Sequence, residues 1–128
     1  MFYTLAMLQA RVFDNFKGAT TLLLWGDEEG MADLFSGLSA LRDGKRSELT
    51  VDGPGSALIV RAGVRERGSS TLAKSLDSIY WECSPETLNL ACDLTEPLLA
   101  TAGHQFLDVD GLAEQVIIAR DEYSADLR

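Results

Sequence analysis

Few residues in this 128-residue sequence have the types and spacing that catalysis or metal binding requires. The only histidine is His104, so a Ser-His-Asp triad would have to use it, yet no Gly-x-Ser-x-Gly motif accompanies it. The cysteines Cys83 and Cys92 lack the spacing of zinc ligands. The segment 108–114 lacks the full ligand set of a calcium loop. The sequence therefore predicts no catalytic residue, no metal site and no cofactor.

A short basic segment is the first candidate for ligand binding. Arg61, Arg65 and Arg67 precede Lys74 in a chain that is otherwise acidic. Arginine side chains bind carboxylate and phosphate groups in a bidentate manner, so this segment could clamp a small anion. A solvated loop is the competing interpretation. The nearby run 53–55, Gly-Pro-Gly, is no phosphate loop, because no lysine follows and no helix begins there.

The two tryptophans are the second candidate. Trp25 and Trp81 each end a predicted strand just before a predicted helix. Helix N-termini attract anions, so aromatic surface beside them could form a pocket for a small anionic ligand, together with His104, Arg61 and Arg65. Burial of both tryptophans in the core is the alternative.

The net charge of −9 is unevenly distributed. Residues 1–75 contain nine basic and nine acidic side chains, whereas residues 76–128 contain two basic and eleven acidic ones. This sign opposes nucleic-acid binding. It either keeps the protein soluble or attracts a basic protein partner. The candidate contacts for such a partner are Asp77, Glu82, Glu86, Asp93 and Glu96.

Two helices are the clearest elements that position these residues. The first is predicted over 27–44, with Asp27 as N-cap and an apolar stripe at helical spacing. The second is predicted over 84–103, with Ser84 as N-cap. Pro97 cannot donate a backbone hydrogen bond, so a kink or break is expected in the second half of this helix.

Apolar runs typical of strands surround the helices. The segment 63–75 is polar and rich in glycine and serine, which predicts a mobile connection, with or without extended pairing at one end. The predicted strands are Tyr3–Gln9, Thr20–Trp25, Ser47–Val51, Ala57–Ala62, Ser78–Cys83, Gln105–Val109 and Gln115–Arg120.

The tripeptide Val-Asp-Gly occurs at 51–53 and again at 109–111, each time before a β-branched apolar run. When the sequence is aligned with itself at an offset of 57 residues, the helix caps Asp27 and Ser84 coincide. Offsets of 56 and 58 residues align Trp25 with Trp81 and the two tripeptides, respectively. The halves 20–62 and 78–120 then form a strand-helix-strand-strand pseudo-repeat. Asp52 and Asp110 are predicted to form hairpin turns.

These elements predict one α+β domain over residues 1–128. The two halves would join in one mainly antiparallel sheet, with both helices packed on one face. The runs Thr20–Trp25 and Gln115–Arg120 are apolar on both sides, so the opposite face also needs a cover. The N-terminal strand, a second copy in a homodimer and a target protein are the candidates.

Residues 22–53 read LLLWGDEEGMADLFSGLSALRDGKRSELTVDG. This strand, Gly-Asp-x-Glu-Gly motif, helix and short strand resemble the small α+β immunity proteins that bacteria encode beside polymorphic toxins. The resemblance covers a quarter of the chain and implies toxin neutralisation by direct binding, without catalytic residues. In the second half, residues 83–86 depart from the pattern of residues 27–30.

The sequence therefore favours a non-enzymatic protein-binding module from a bacterium, immunity-like in action and with a basic protein partner. A small-anion binding protein or small enzyme with a pocket near the tryptophans, and a structural homodimer, are the alternatives. No cationic residue precedes the apolar N-terminal stretch, and no apolar run approaches the roughly 20 residues of a membrane span. A cytoplasmic location, reduced cysteines and no membrane contact are expected.

Overall fold

A computed structural model describes residues 7–63 and 70–122. Strands, two α-helices and one 3₁₀ helix alternate along these ranges. In chain order the elements are β1 (Leu8–Phe16), β2 (Ala19–Gly26), α1 (Glu28–Arg42), β3 (Glu48–Val51), β4 (Ala57–Ala62), β5 (Thr71–Ser75), β6 (Ser78–Cys83), α2 (Pro85–Thr95), the 3₁₀ helix (Glu96–Leu99), β7 (Gly103–Asp108), β8 (Asp110–Gly111) and β9 (Gln115–Arg120).

The predicted α+β class is confirmed, but the strands form two sheets rather than one. The first sheet has the order β1-β2-β9-β7 and the second has the order β3-β4-β6-β5-β8. The pairs β2–β9, β4–β6 and β5–β8 are parallel and the other four pairs are antiparallel, so both sheets are mixed. Both helices lie between β2 and β9 in the chain, whereas β5 lies between β4 and β6. Pairing between strands that are not consecutive in the chain cannot be read from the local spacing of apolar residues, which is why the prediction missed it.

One hydrophobic core is shared by both sheets and both helices, which corrects the prediction of helices on one face of one sheet. Leu24 of β2, Leu38 of α1, Trp81 of β6 and Ala91 of α2 are buried in the same cluster. The apolar stripes of the two helices therefore pack between side chains from two sheets, and α1 also contacts α2.

The predicted N-caps of both helices are confirmed by hydrogen bonds. The Asp27 side chain accepts a hydrogen bond from the backbone N–H of Gly30 at 2.7 Å, and Ser84 caps α2 in the same way. Helix α2 ends at Thr95, and the chain continues as the 3₁₀ helix, which contains Pro97. The predicted break therefore occurs where the proline removes a donor.

The first strand differs from the prediction, whereas the segment 63–75 has the extended pairing at one end that the prediction left open. Strand β1 covers Leu8–Phe16 rather than Tyr3–Gln9, whose first four residues lie outside the described ranges. Strand β5 forms within the segment predicted to be a mobile connection. Only Leu72 of β5 is buried, so this strand has almost none of the apolar alternation by which strands are recognised.

The two Val-Asp-Gly tripeptides lie where the two sheets meet. The backbone N–H of Ala10 in the first sheet donates to the carbonyl of Asp52, which follows β3 of the second sheet. At the second tripeptide, β8 pairs with β5, and the N–H of Leu112 donates to the carbonyl of Leu72. Each tripeptide thus links the end of a strand in one sheet to a strand of the other.

The glycines of these tripeptides are required by close packing. A Cβ atom on Gly53 or Gly111 would lie nearer than 3.0 Å to the carbonyl oxygen of Ala10 or Leu72, respectively, a separation that real Cβ atoms essentially never show. Gly111 also has a φ of 101°. The repeated tripeptide therefore serves a crossing between sheets as well as a hairpin connection.

Candidate functional site

The two tryptophans do not share a pocket. Trp81 is completely buried in the main core, whereas Trp25 belongs to a separate cluster on the outward face of the first sheet. Side chains alternate between the two faces of a strand, so a shift of one residue changes the face. Leu24 lies three residues before the cap Asp27, as Trp81 does before Ser84, and both Leu24 and Trp81 point into the main core. The expectation of a shared pocket came from the alignment of Trp25 with Trp81 in the pseudo-repeat.

The outward face of the first sheet is covered within one chain. Leu23, Trp25 and Ile117 are buried there, and Phe13 and Phe16 of β1 pack against them. The sequence suggested the N-terminal strand as one cover, but within the bounds Tyr3–Gln9, which do not include Phe13 or Phe16. This part of the apolar face is therefore not free for a second copy of the chain, which removes the main reason for expecting a homodimer.

Arg61 does not form an open anion clamp. Its guanidinium group lies 4.5 Å from the centre of the Tyr80 ring and donates to Glu82 at 2.9 and 3.2 Å. Glu48 approaches the same guanidinium to 4.0 Å. Two carboxylates thus offset the positive charge that was expected to attract an anionic ligand. Glu82, which was predicted to contact a basic partner, is hydrogen-bonded to Arg61 instead. Arg65 lies outside the described residues.

His104 lies on another part of the surface. It is the second residue of β7, where it pairs with Ala119, and its ring Nδ1 contacts the carboxylate of Glu122. Arg61 belongs to β4 of the second sheet. The structure therefore does not bring together His104, Arg61 and the two tryptophans as one pocket.

The predicted acidic contacts divide among three places, one of which is β6, where Glu82 accepts hydrogen bonds from Arg61. Glu86, Asp93 and Glu96 are exposed along α2 and the start of the 3₁₀ helix, and Leu90 lies among them with 47% of its surface exposed. These four residues are called the acidic α2 surface. Asp77, in contrast, lies in the turn between β5 and β6.

Arg42 of α1 contributes a positive charge near this surface. Its hydrogen bond to Asp43 is the main cause of a raised pKa, and the charge of Asp93 acts in the same direction more weakly. Arg42 therefore stays charged and partly offsets Asp93, while the carboxylates of Glu86 and Glu96 extend the surface along the helix.

The β5–β6 turn contains the most unusual exposed residue. Leu76 has 93% of its surface exposed and a φ of 53°. A non-glycine residue in this region is strained, and an exposed leucine gains nothing from burial. No pattern in the sequence marks Leu76, because both features depend on the geometry of the turn.

A cleft of about 410 Å³ opens where the two sheets meet, and it is called the junction cleft. Its walls include Val12 of β1, Pro54 and Ser56 after β3, Lys74 of β5, Ile79 of β6 and Leu112 after β8. Sequence reasoning missed this cleft because its lining comes from widely separated segments.

The cysteines are free and buried, as predicted. Burial raises the pKa of the Cys83 thiol, so the sulfur remains protonated and is a poor nucleophile. Among residues 7–63 and 70–122, no cluster of three or more His, Cys, Asp or Glu side chains is arranged to hold a metal ion. Within the same ranges, no helix has the length and apolar character needed to cross a membrane.

Comparisons with known proteins do not assign a function. The resemblance of residues 22–53 to immunity proteins stays a prediction from the sequence. The surfaces of the chain itself are the basis for any assignment. No protein-family model, no curated protein and no solved structure matches this chain.

Proposed function

We propose that this protein is a non-enzymatic protein-binding module whose partner is basic, and that the acidic α2 surface is its contact. The observation that supports the proposal is an exposed leucine, Leu90, set among the exposed carboxylates of Glu86, Asp93 and Glu96. Protein interfaces commonly place apolar contacts inside a polar rim, and Leu90 can supply such a contact.

Helical spacing places these side chains on one side of α2. Leu90 follows Glu86 by four residues and precedes Asp93 by three, so the three side chains are neighbours on the helix surface. In binding, the carboxylates would accelerate encounter with a basic partner, and Leu90 would supply the contact from which water is excluded. The excess of acidic residues in 76–128 adds to the negative electrostatic potential that would attract this partner.

The proposal includes an immunity-like action in the bacterial cytoplasm, in which the protein neutralises a basic toxin by direct binding. The support is the resemblance of residues 22–53, which contain most of β2, all of α1 and β3. It also includes a pseudo-repeat of halves 20–62 and 78–120. The support is that each half contributes one strand to the parallel pair β2–β9, one strand to the parallel pair β4–β6, and one Val-Asp-Gly crossing between the sheets.

The partner can be captured at the surface itself. We would incorporate a photo-crosslinking amino acid at position 90 in cells of the native host, and at the exposed position Ala32 of α1 as a control. The proposal expects a protein adduct that forms from position 90 and not from position 32. The adduct protein, once identified, is purified for kinetic measurements.

Association rates then test the electrostatic part. We expect the rate to fall at least about tenfold between low and high salt, because steered association is screened by ions. The double variant Glu86→Gln/Asp93→Asn should lose several-fold in rate at low salt. The matched double variant Glu29→Gln/Asp33→Asn removes the same charge from α1 and should lose little. A rate independent of salt, or equal losses in the two variants, would refute the proposal.

A further inference from the structure

The outer edge of β1 directs backbone groups away from β2. The N–H of Ala10 donates to Asp52 rather than to β2, whereas the carbonyl of Met7 accepts from Asp27 on the β2 side. Along an antiparallel edge strand, the backbone N–H and C=O groups of one residue point towards the neighbouring strand, and those of the next residue point away from it. Val12, opposite Leu22, follows Ala10 by two residues, so by this alternation its N–H and C=O point away from β2.

The edge of β5 is similar. The carbonyls of Ser70 and Leu72 point away from β6, because they accept hydrogen bonds from Asp110 and Leu112. Strand β8 covers this edge only at Thr71 and Leu72. The backbone groups of Lys74, two residues beyond Leu72, therefore also point outwards, past the end of β8.

The junction cleft lies between these two edges. Both Val12 and Lys74 line it, and buried Ala10 and Ile79 with half-exposed Leu112 form an apolar lining. Its volume of about 410 Å³ is within the usual range of binding pockets. A backbone edge beside an apolar lining offers hydrogen bonds to an extended chain and a contact for one of its side chains.

The charges of the cleft are opposite to those of the whole protein. The charged side chains that line it among the described residues are two cations, Arg11 and Lys74, and one anion, Asp14. The Arg11 guanidinium group lies 5.0 Å from the centre of the Phe13 ring. Lys74 has no ion pair in the described part of the chain. In a chain of net charge −9, the Lys74 ammonium group favours an acidic group in this cleft.

We propose that the junction cleft binds an extended acidic peptide segment of another protein by strand addition to β1. The segment would form backbone hydrogen bonds with Val12, place an apolar side chain against Ile79 and Leu112, and direct a neighbouring carboxylate towards Lys74. In strand addition the main chain supplies affinity and alternate side chains supply specificity. This site is separate from the acidic α2 surface and does not rest on the function proposed for it.

Val12→Pro is the most direct test. Proline removes the outward N–H of Val12, and it is tolerated on edge strands where that N–H pairs with no neighbouring strand. Val12→Thr is the matched control, because it retains the N–H and a β-branched side chain. Leu112→Ser tests the apolar lining at an exposed position that does not depend on proline being accommodated.

The probe is a phage-displayed library of random heptapeptides, selected on the wild-type protein. We expect enriched peptides with an acidic residue next to an apolar one, and synthetic copies that bind about tenfold more weakly to Val12→Pro and to Leu112→Ser than to Val12→Thr. Replacing the acidic residue of the peptide by its amide should weaken binding to the wild type but not to Lys74→Gln.

Two results would overturn this proposal. One is a selection that enriches no peptide above uncoated beads. The other is a set of peptides that bind Val12→Thr, Leu112→Ser and any folded Val12→Pro protein equally. The photo-crosslinking experiment at position 90 is unaffected by either result, so the two proposals can fail separately.

Discussion

Replacing Gly53 by alanine should destabilise the protein more than the same change two residues later. The new methyl group would lie 2.5 Å from the carbonyl oxygen of Ser56 and even closer to that of Ala10. Both neighbours are backbone atoms, which cannot rotate away as a side chain can. At Gly55, by contrast, an added Cβ meets no atom within 4 Å, so Gly55→Ala is the matched control in the same loop.

The expected loss in the free energy of unfolding can be estimated from the hydrogen bond that the loop would lose. Moving Gly53 away from β1 breaks the 2.9 Å hydrogen bond between Ala10 N–H and the Asp52 carbonyl, beside a residue that is almost fully buried. Losing a hydrogen bond of this kind and leaving a buried group unpaired costs about 2–3 kcal/mol. Gly111→Ala adds a left-handed φ to a similar clash and should cost about 3–4 kcal/mol in total.

Urea unfolding followed by tryptophan fluorescence measures these costs, because Trp25 and Trp81 are both buried. We expect Gly55→Ala to lie within about 0.5 kcal/mol of the wild type, or to be slightly more stable. If the unfolding free energies of Gly53→Ala and Gly55→Ala agree within that margin at an unchanged denaturant slope, the close contact with β1 does not constrain this loop. The reasoning would then be wrong.

Three further changes have defined outcomes. Asp27→Ala should cost about 1–2 kcal/mol in chemical unfolding, and more than Ser84→Ala, since the Asp27 carboxylate accepts from two backbone N–H groups, those of Gly30 and residue 7. Because burial raises the pKa of Cys83, the unfolded chain loses this proton first as pH rises. Unfolding titrations should therefore show stability falling above about pH 8.5 by up to roughly 1.4 kcal/mol per pH unit, and Cys83→Ala should lack that part of the slope. Leu76→Gly should leave the melting temperature unchanged or raised, because relief of the positive φ offsets the entropy of glycine; a clear loss would mean that Leu76 makes a stabilising contact.

The candidate site was harder to predict than the helices. The exposure of Glu86, Asp93 and Glu96 agrees with their charge, since unpaired acidic side chains are rarely buried. The pairing of Arg61 with Glu82 and Glu48 was not predictable, because cross-strand neighbours depend on register. A sequence shows which groups are charged but not which of them neutralise each other.

Local sequence determined the elements whose energetics are local. The caps Asp27 and Ser84, the break before Pro97 and the exact bounds of β4, β6 and β9 all follow from hydrogen-bond donors, acceptors and apolar spacing within a few residues. These interactions form between neighbours in the chain, so residue type and order are enough to indicate them.

Tertiary structure alone decided how the strands pair and which faces they bury. Thr21 and Gln115 are hydrogen-bonded across a separation of 94 residues, and no periodicity records that β2 lies parallel to β9. The same pairing turns Trp25 away from the main core and creates two sheets whose edges border the junction cleft. The physical reason is that strand register is set by packing and hydrogen bonding between distant segments, and a shift of one residue reverses every face.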